Sequence, residues 1–205
     1  MKKLLLIAVV LTALITTGFR LAPGTLSTDE RKFAIDYYGK TKARLLKDLK
    51  GLTDVQLNFK ADSTRWSIYQ CTEHIALAEN MIWQWIQMTQ QQPATPAKRS
   101  EVKVTVDQLM KGTLDRSQKF KAPEMLQPEK KFPDTQTALQ AFILRRDSTI
   151  YYIRSTQDDL KNHFLTHPAV GTMDLYQALV MLAAHSERHT LQIEEVMADP
   201  NFPKQ

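Results

Sequence analysis

The stretch DLYQALVMLAAHSERHTLQIEEVM, residues 174–197, decides the fold class. Leu175, Leu179, Leu182, Ile193 and Val196 recur at helical spacing, so the segment reads as a long amphipathic helix with one buried face, capped by Thr172. Three more segments upstream read the same way. PDTQTALQAFILRRDSTIYYI, residues 133–153, places Leu139, Phe142, Ile143, Ile150 and Ile153 on one face. Ser67 and Gln70 have capping-box spacing and open a helix that QQPATP ends after about Gln91. Ser27 and Glu30 open the first helix in the same way; Phe33, Tyr37, Leu45 and Leu49 mark its face and Gly51 stops it. A shorter helix is expected around Val106 to Phe120. Strand signals are weak, with only VKVTV, residues 102–106, alternating, and KNHFLTHPAVGTM reads as a loop around Pro168 and Gly171. Four long amphipathic helices in roughly 180 residues imply an all-α four-helix bundle. The roughly 45 residues between the second and third long helices imply one long crossover connection.

The bundle is expected over residues 27–199 as one domain. Ahead of it, MKKLLLIAVVLTALITTG has the charged, apolar and small-residue order of a secretory signal, residues 1–18. The apolar run is short for a span of about 20 residues. An exported protein, periplasmic or secreted, is therefore expected, with an uncleaved membrane anchor as the second reading. Loss of Lys2 and Lys3 leaves 25 basic residues against 22 acidic ones, no footprint for nucleic acid. The single Cys71 excludes an internal disulfide. An apolar helix face left exposed would support a homodimer.

His185 and His189 stand four residues apart, so they lie about 40° apart on one helix face and both reach one ion. The HSERH motif is not HExxH, since Ser186 stands where a zinc protease has its glutamate and Glu187 points about 160° away from either histidine. No Glu-x-x-His occurs, so a di-iron bundle is excluded as well. The third ligand is expected from another helix. His74 shares helical phase with Cys71, Ala78, Met81 and Trp85 and falls near the level of the pair if the two helices run antiparallel. Three imidazoles with one open position make a catalytic type of site. The bland alternative is one of hydrogen-bonded core and surface histidines.

Other residues near these carry weaker expectations. His163 and His167 belong to a loop, as turn residues or as an outer ligand or proton shuttle at the mouth of the site. Cys71 is a core residue before it is a thiolate ligand, and Trp83 and Trp85 pack the core. Arg188 flanks the pair, solvated or salt-bridged unless it meets an anionic substrate group. Glu79 and Glu194 are carboxylates whose helical phase does not favour contact with the site.

RWSIYQCTEHIALAE, HPAVGTMDLYQAL and HSERHTLQIEEV together resemble the DinB-like superfamily, which includes YfiT-type metal-dependent hydrolases and bacillithiol- and mycothiol-dependent transferases. The resemblance extends from about Glu30 to Asp199. It implies a four-helix bundle holding one divalent ion through His74, His185 and His189. The expected function is a metal-dependent hydrolase or thiol S-transferase acting on a small molecule, with water activated by the ion as the nucleophile. Zinc or nickel suits the donors. The alternative is a non-catalytic metal- or ligand-binding bundle of the cell envelope. Many members of the superfamily are cytoplasmic, and those with a known reaction use low-molecular-weight thiols; the expected export sets this chain apart from them.

Overall fold

The computed structural model describes residues 23–204 apart from Lys119, so the expected targeting segment, residues 1–18, lies outside the described residues. Six α-helices follow in order: α1 Thr28–Leu49, α2 Asp54–Asn58, α3 Ile68–Gln90, α4 Val106–Leu114, α5 Thr135–Ser155 and α6 Leu175–Met197. The four long ones, α1, α3, α5 and α6, form the bundle. Two strands, β1 Phe164–His167 and β2 Gly171–Asp174, pair as an antiparallel hairpin before α6. Among the described residues, no helix is long and apolar enough to cross a membrane.

Helix starts follow local chemistry. Ser27 with Glu30 and Ser67 with Gln70 form the reciprocal capping boxes that their spacing implies, satisfying amides left free at a helix start. Gly51 takes a φ of +77° just beyond α1, a conformation in which a side chain would be strained. Three expectations are corrected, and one weak strand signal comes to nothing. Asp174, not Thr172, caps α6, because its carboxylate accepts from Gln177 N at 2.7 Å and Gln177 answers in a capping box; Thr172 is occupied in β2, opposite Thr166. The short helix ends at Leu114, not Phe120, because Asp115 turns the chain by accepting from Ser117 N at 2.9 Å. Residues 102–105 are not a strand; Thr105 caps α4 instead, accepting from Gln108 N. The segment read as a loop around Pro168 is the β1–β2 hairpin.

Cross-helix bonds give the topology. Tyr38 donates to Leu179 O at 2.8 Å and Arg44 meets Glu194 at 2.7 Å, so α1 and α6 run parallel. Tyr69 reaches Phe132 O, just ahead of α5, and Arg145 reaches Asn80, so α3 and α5 also run parallel. A parallel pair needs a long return, and residues 91–134 supply it, carrying α4 across α6. By contrast α3 and α6 are antiparallel neighbours, since Ile75 shares a cluster with Ile193 and Val196 while Ile82, two turns on, shares one with Leu179 and Leu182.

The core divides into two apolar clusters. One gathers Tyr38, Ile82, Ile153, Leu179 and Leu182; the other gathers Leu45, Ile75, Phe142, Ile193 and Val196. Between them lies a buried polar layer of Thr41, Glu79, Arg146 and Ser186, one residue from each bundle helix. Arg146 is bonded to Glu79 and Ser186, and to Thr41 Oγ1 at 3.0 Å. Its guanidinium lies 4.4 Å from the Tyr38 ring and 5.0 Å from that of Phe142, one ring from each cluster.

Candidate metal centre

His74, on the second turn of α3, meets His185 and His189, which lie about three and about two turns from the end of α6. Each offers one ring nitrogen within 4.8 Å of those of the other two. His74 and His189 are 3% and 8% exposed, and His185 is partly exposed. The Nε2 atoms of His74 and His185 are 3.3 Å apart. Two nitrogens on a tetrahedral zinc at about 2.0–2.1 Å are themselves about 3.3–3.4 Å apart, so that pair already has the spacing of two ligands.

The proton positions are set from outside the trio. His74 Nδ1 faces Leu126 O at 2.7 Å, and only an N–H can meet a carbonyl, so its Nε2 carries the lone pair. His189 Nδ1 faces Gln192 Oε1 at 2.9 Å. Arg116 also approaches that atom, at 3.4 Å, and two donors identify it as the amide oxygen. The proton of His189 is therefore on Nδ1 and its Nε2 lone pair is free. His185 Nδ1 is buried without a partner among the described residues, leaving its Nε2 as the atom turned to the others. Two neutral imidazoles with outward N–H groups held by oxygens, and a third directed between them, fit a divalent ion.

Burial depresses all three. His74 is held below the ordinary histidine value by desolvation, partly offset by the Leu126 carbonyl. His185 and His189 lie well below it, through desolvation first and then the neighbouring imidazoles and Arg188. As pH falls below about 6.5 the unfolded chain takes up protons that the folded trio refuses, so stability falls with pH there. Metal-free protein is expected to lose on the order of 1 kcal/mol per pH unit for each of His185 and His189 between about pH 6.5 and 5. Urea midpoints across that range check it, and the His185→Ala/His189→Ala double variant should give a flatter curve.

The surroundings are aromatic and cationic. The Trp66 ring is 4.8 Å from that of His74 and stacks on His189 at 5.9 Å, a wall that the helical pattern did not single out. Arg188 spends its donors on the backbone oxygens of Thr113 at 3.0 Å, Gln118 at 2.8 Å, and Asp115, fastening the end of α4 to α6. It is thus held against backbone, partly exposed and, among the described residues, without a salt bridge. Glu187 faces away, as its phase required, accepting from Tyr37 at 2.7 Å and pairing with Arg44 at 3.1 Å. Glu79 pairs with Arg146, and Glu194 with Arg44. Cys71 is fully buried in the cluster of Leu45 and Ile75, its thiol pushed up to about 12 by burial, and it is not among the residues that converge with the three imidazoles. Trp83 is buried and stacks edge-on against Tyr152, whereas Trp85 is only partly buried.

The two remaining histidines separate. His163 is a structural tie, its ring nitrogens facing Asp159 O at 2.7 Å and Gln92 O at 2.9 Å. His167 ends β1, with its ring 6.5 Å from that of Trp85 and its Nδ1 accepting from Ala169 N at 3.2 Å.

Fold and site define a class: a four-helix bundle with a crossover between parallel neighbours and three converging imidazoles between its antiparallel helices α3 and α6. The chain belongs to the DinB superfamily, whose sequence model matches residues 37–193. Among curated proteins it is similar to the uncharacterized protein YuaE of Bacillus subtilis strain 168, 24% identical over 160 residues that cover 78% of this chain and 94% of YuaE. Among solved structures it is similar to YfiT from Bacillus subtilis, described as a probable metal-dependent hydrolase with an unusual four-helix bundle topology. That likeness has a TM-score of 0.59 at 16% identity, covering 88% of this chain and 93% of YfiT, and it speaks for the fold.

Proposed function

We propose that His74, His185 and His189 hold one divalent metal ion, zinc or nickel by donor type, and that the protein is an exported hydrolase or thiol S-transferase acting on a small molecule. One observation carries the reading: oxygens outside the trio fix the protons of His74 and His189 on Nδ1, so their Nε2 lone pairs are turned toward His185. An ion held there supplies Lewis-acid activation of a water or of an incoming thiol. The chain's own part is orientation and screening. Leu126 O and Gln192 fix the rings, Trp66 covers His74 and His189, and Arg188 keeps the segment after α4 against the helix that bears two of the imidazoles. Among the described residues no carboxylate is hydrogen-bonded to the trio, so the site keeps the full positive charge of the ion and suits an anionic or readily ionised fourth ligand.

Elemental mass spectrometry of the chain purified without its first 18 residues tests this reading. The parent is expected to carry one equivalent of metal, and His74→Ala and His185→Ala to carry less than a tenth of that while keeping their helical circular dichroism. Equal metal in all three would sink it. Turnover of an activated ester with and without a small thiol then separates hydrolysis from thiol transfer.

A further inference from the structure

Leu126, whose carbonyl orients His74, lies 52 residues further along the chain, in the crossover, and a bond from a distant loop orients a ring only if the loop is itself fixed. The residue beside His74 fixes it. Glu73 is 0% exposed, and its carboxylate accepts from two successive backbone amides, those of Lys130 at 3.3 Å and of Lys131. Lys130 has a φ of 60°, the left-handed region that a residue with a side chain seldom enters. That conformation turns consecutive N–H groups to one side, making a small anion-binding concavity with the Glu73 carboxylate in it. From there the chain folds back on itself. Lys131 Nζ donates to Met125 O at 2.8 Å, and the 3₁₀ turn Glu124–Leu126 is closed by Leu126 N on Pro123 O at 2.9 Å. Tyr69, one turn earlier on α3, holds the next residue by donating to Phe132 O at 2.6 Å. Three positions of α3 thus grip residues 124–132, and the grip delivers one carbonyl to one imidazole.

We infer that Glu73 is a positioning residue for the metal centre: by anchoring the Lys130–Lys131 amides it sets the Leu126 carbonyl against His74 Nδ1 and so holds the Nε2 lone pair of His74 toward His185 and His189. The inference rests on the metal-binding reading above, but the orientation of His74 can be read without metal. An ordinary core carboxylate would be replaceable by any residue that fills its space. A positioning carboxylate needs acceptors directed at the two amides, which glutamine supplies in part and alanine not at all.

The experiment records the imidazole ¹⁵N shifts of His74 in metal-free chain, and zinc affinity by competition with a chromophoric chelator, for the parent, Glu73→Ala, Glu73→Gln and Lys131→Pro. The last removes a donor amide, together with the Lys131 Nζ bond to Met125 O, from an exposed loop residue and leaves the bundle core untouched, so the test survives if Glu73→Ala fails to fold. The parent is expected to show the Nδ1–H form of His74. In Glu73→Ala and Lys131→Pro that form should give way to a mixture of tautomers, with zinc affinity lower by about 10–100-fold, and Glu73→Gln should recover most of both. Parent-like ¹⁵N shifts and zinc affinity in folded Glu73→Ala or Lys131→Pro would overturn the inference. A parent that binds no zinc would overturn the metal reading instead, and the tautomer comparison would still decide the role of Glu73.

Discussion

Replacing Arg146 with methionine is expected to cost about 3–5 kcal/mol of folding free energy, read from urea denaturation. Arg146 and Glu79 are each 0% exposed, so bulk solvent does not reach the charge of an abandoned partner. Burial pushes the Glu79 carboxyl up by more than Arg146 and Ser186 pull it down, so even the intact pair gains little over an apolar replacement. The double variant Arg146→Met/Glu79→Met is accordingly expected to lose much less than Arg146→Met alone. If the two single losses add in the double variant, the pair is not acting as a unit. The layer's contribution is therefore to specificity. With an apolar cluster on either side and one polar slot between them, α5 has one height at which its arginine finds Thr41, Glu79 and Ser186 together.

The second large effect concerns zinc. At a free concentration about 1,000 times its dissociation constant, zinc is expected to stabilise the parent by about 4 kcal/mol, roughly 8–16 °C in Tm. His185→Ala should gain nothing measurable, because two imidazoles remain of three. Thermal scans with and without zinc, each variant compared with itself, remove the cavity cost of the substitution from the comparison. A zinc-dependent rise that His185→Ala retains would place the bound metal elsewhere.

Much of this was legible in sequence because it is encoded locally. Capping boxes, a glycine stop and apolar periodicity are properties of short windows, and they located the four bundle helices. The length of the segment between α3 and α5 implied a crossover, and the parallel run of those helices explains it. His185 and His189 were readable from their spacing and His74 from its phase. The α6 cap was misread because Thr172 resembles a capping residue, although Asp174 and Gln177 have the better box. The β1–β2 hairpin was missed because its strands, four residues each, are held by each other and not by local preference. Leu126 O and the buried Arg146 carry no sequence signal: a carbonyl belongs to every residue, and arginine is ordinarily exposed. Gln192 did have one, three residues beyond His189, a spacing at which helical side chains meet.

The position of α6 in the chain also orders events in time. His74 leaves the ribosome 111 residues before His185, an interval of roughly 6–22 s at about 5–20 residues per second. Through that interval the nascent chain presents only one of the three imidazoles of the site, which holds no ion firmly. On the metal-binding reading proposed above, an ion would be held only once α6 docks onto α3, and the compartment in which that happens sets which ion the protein meets first.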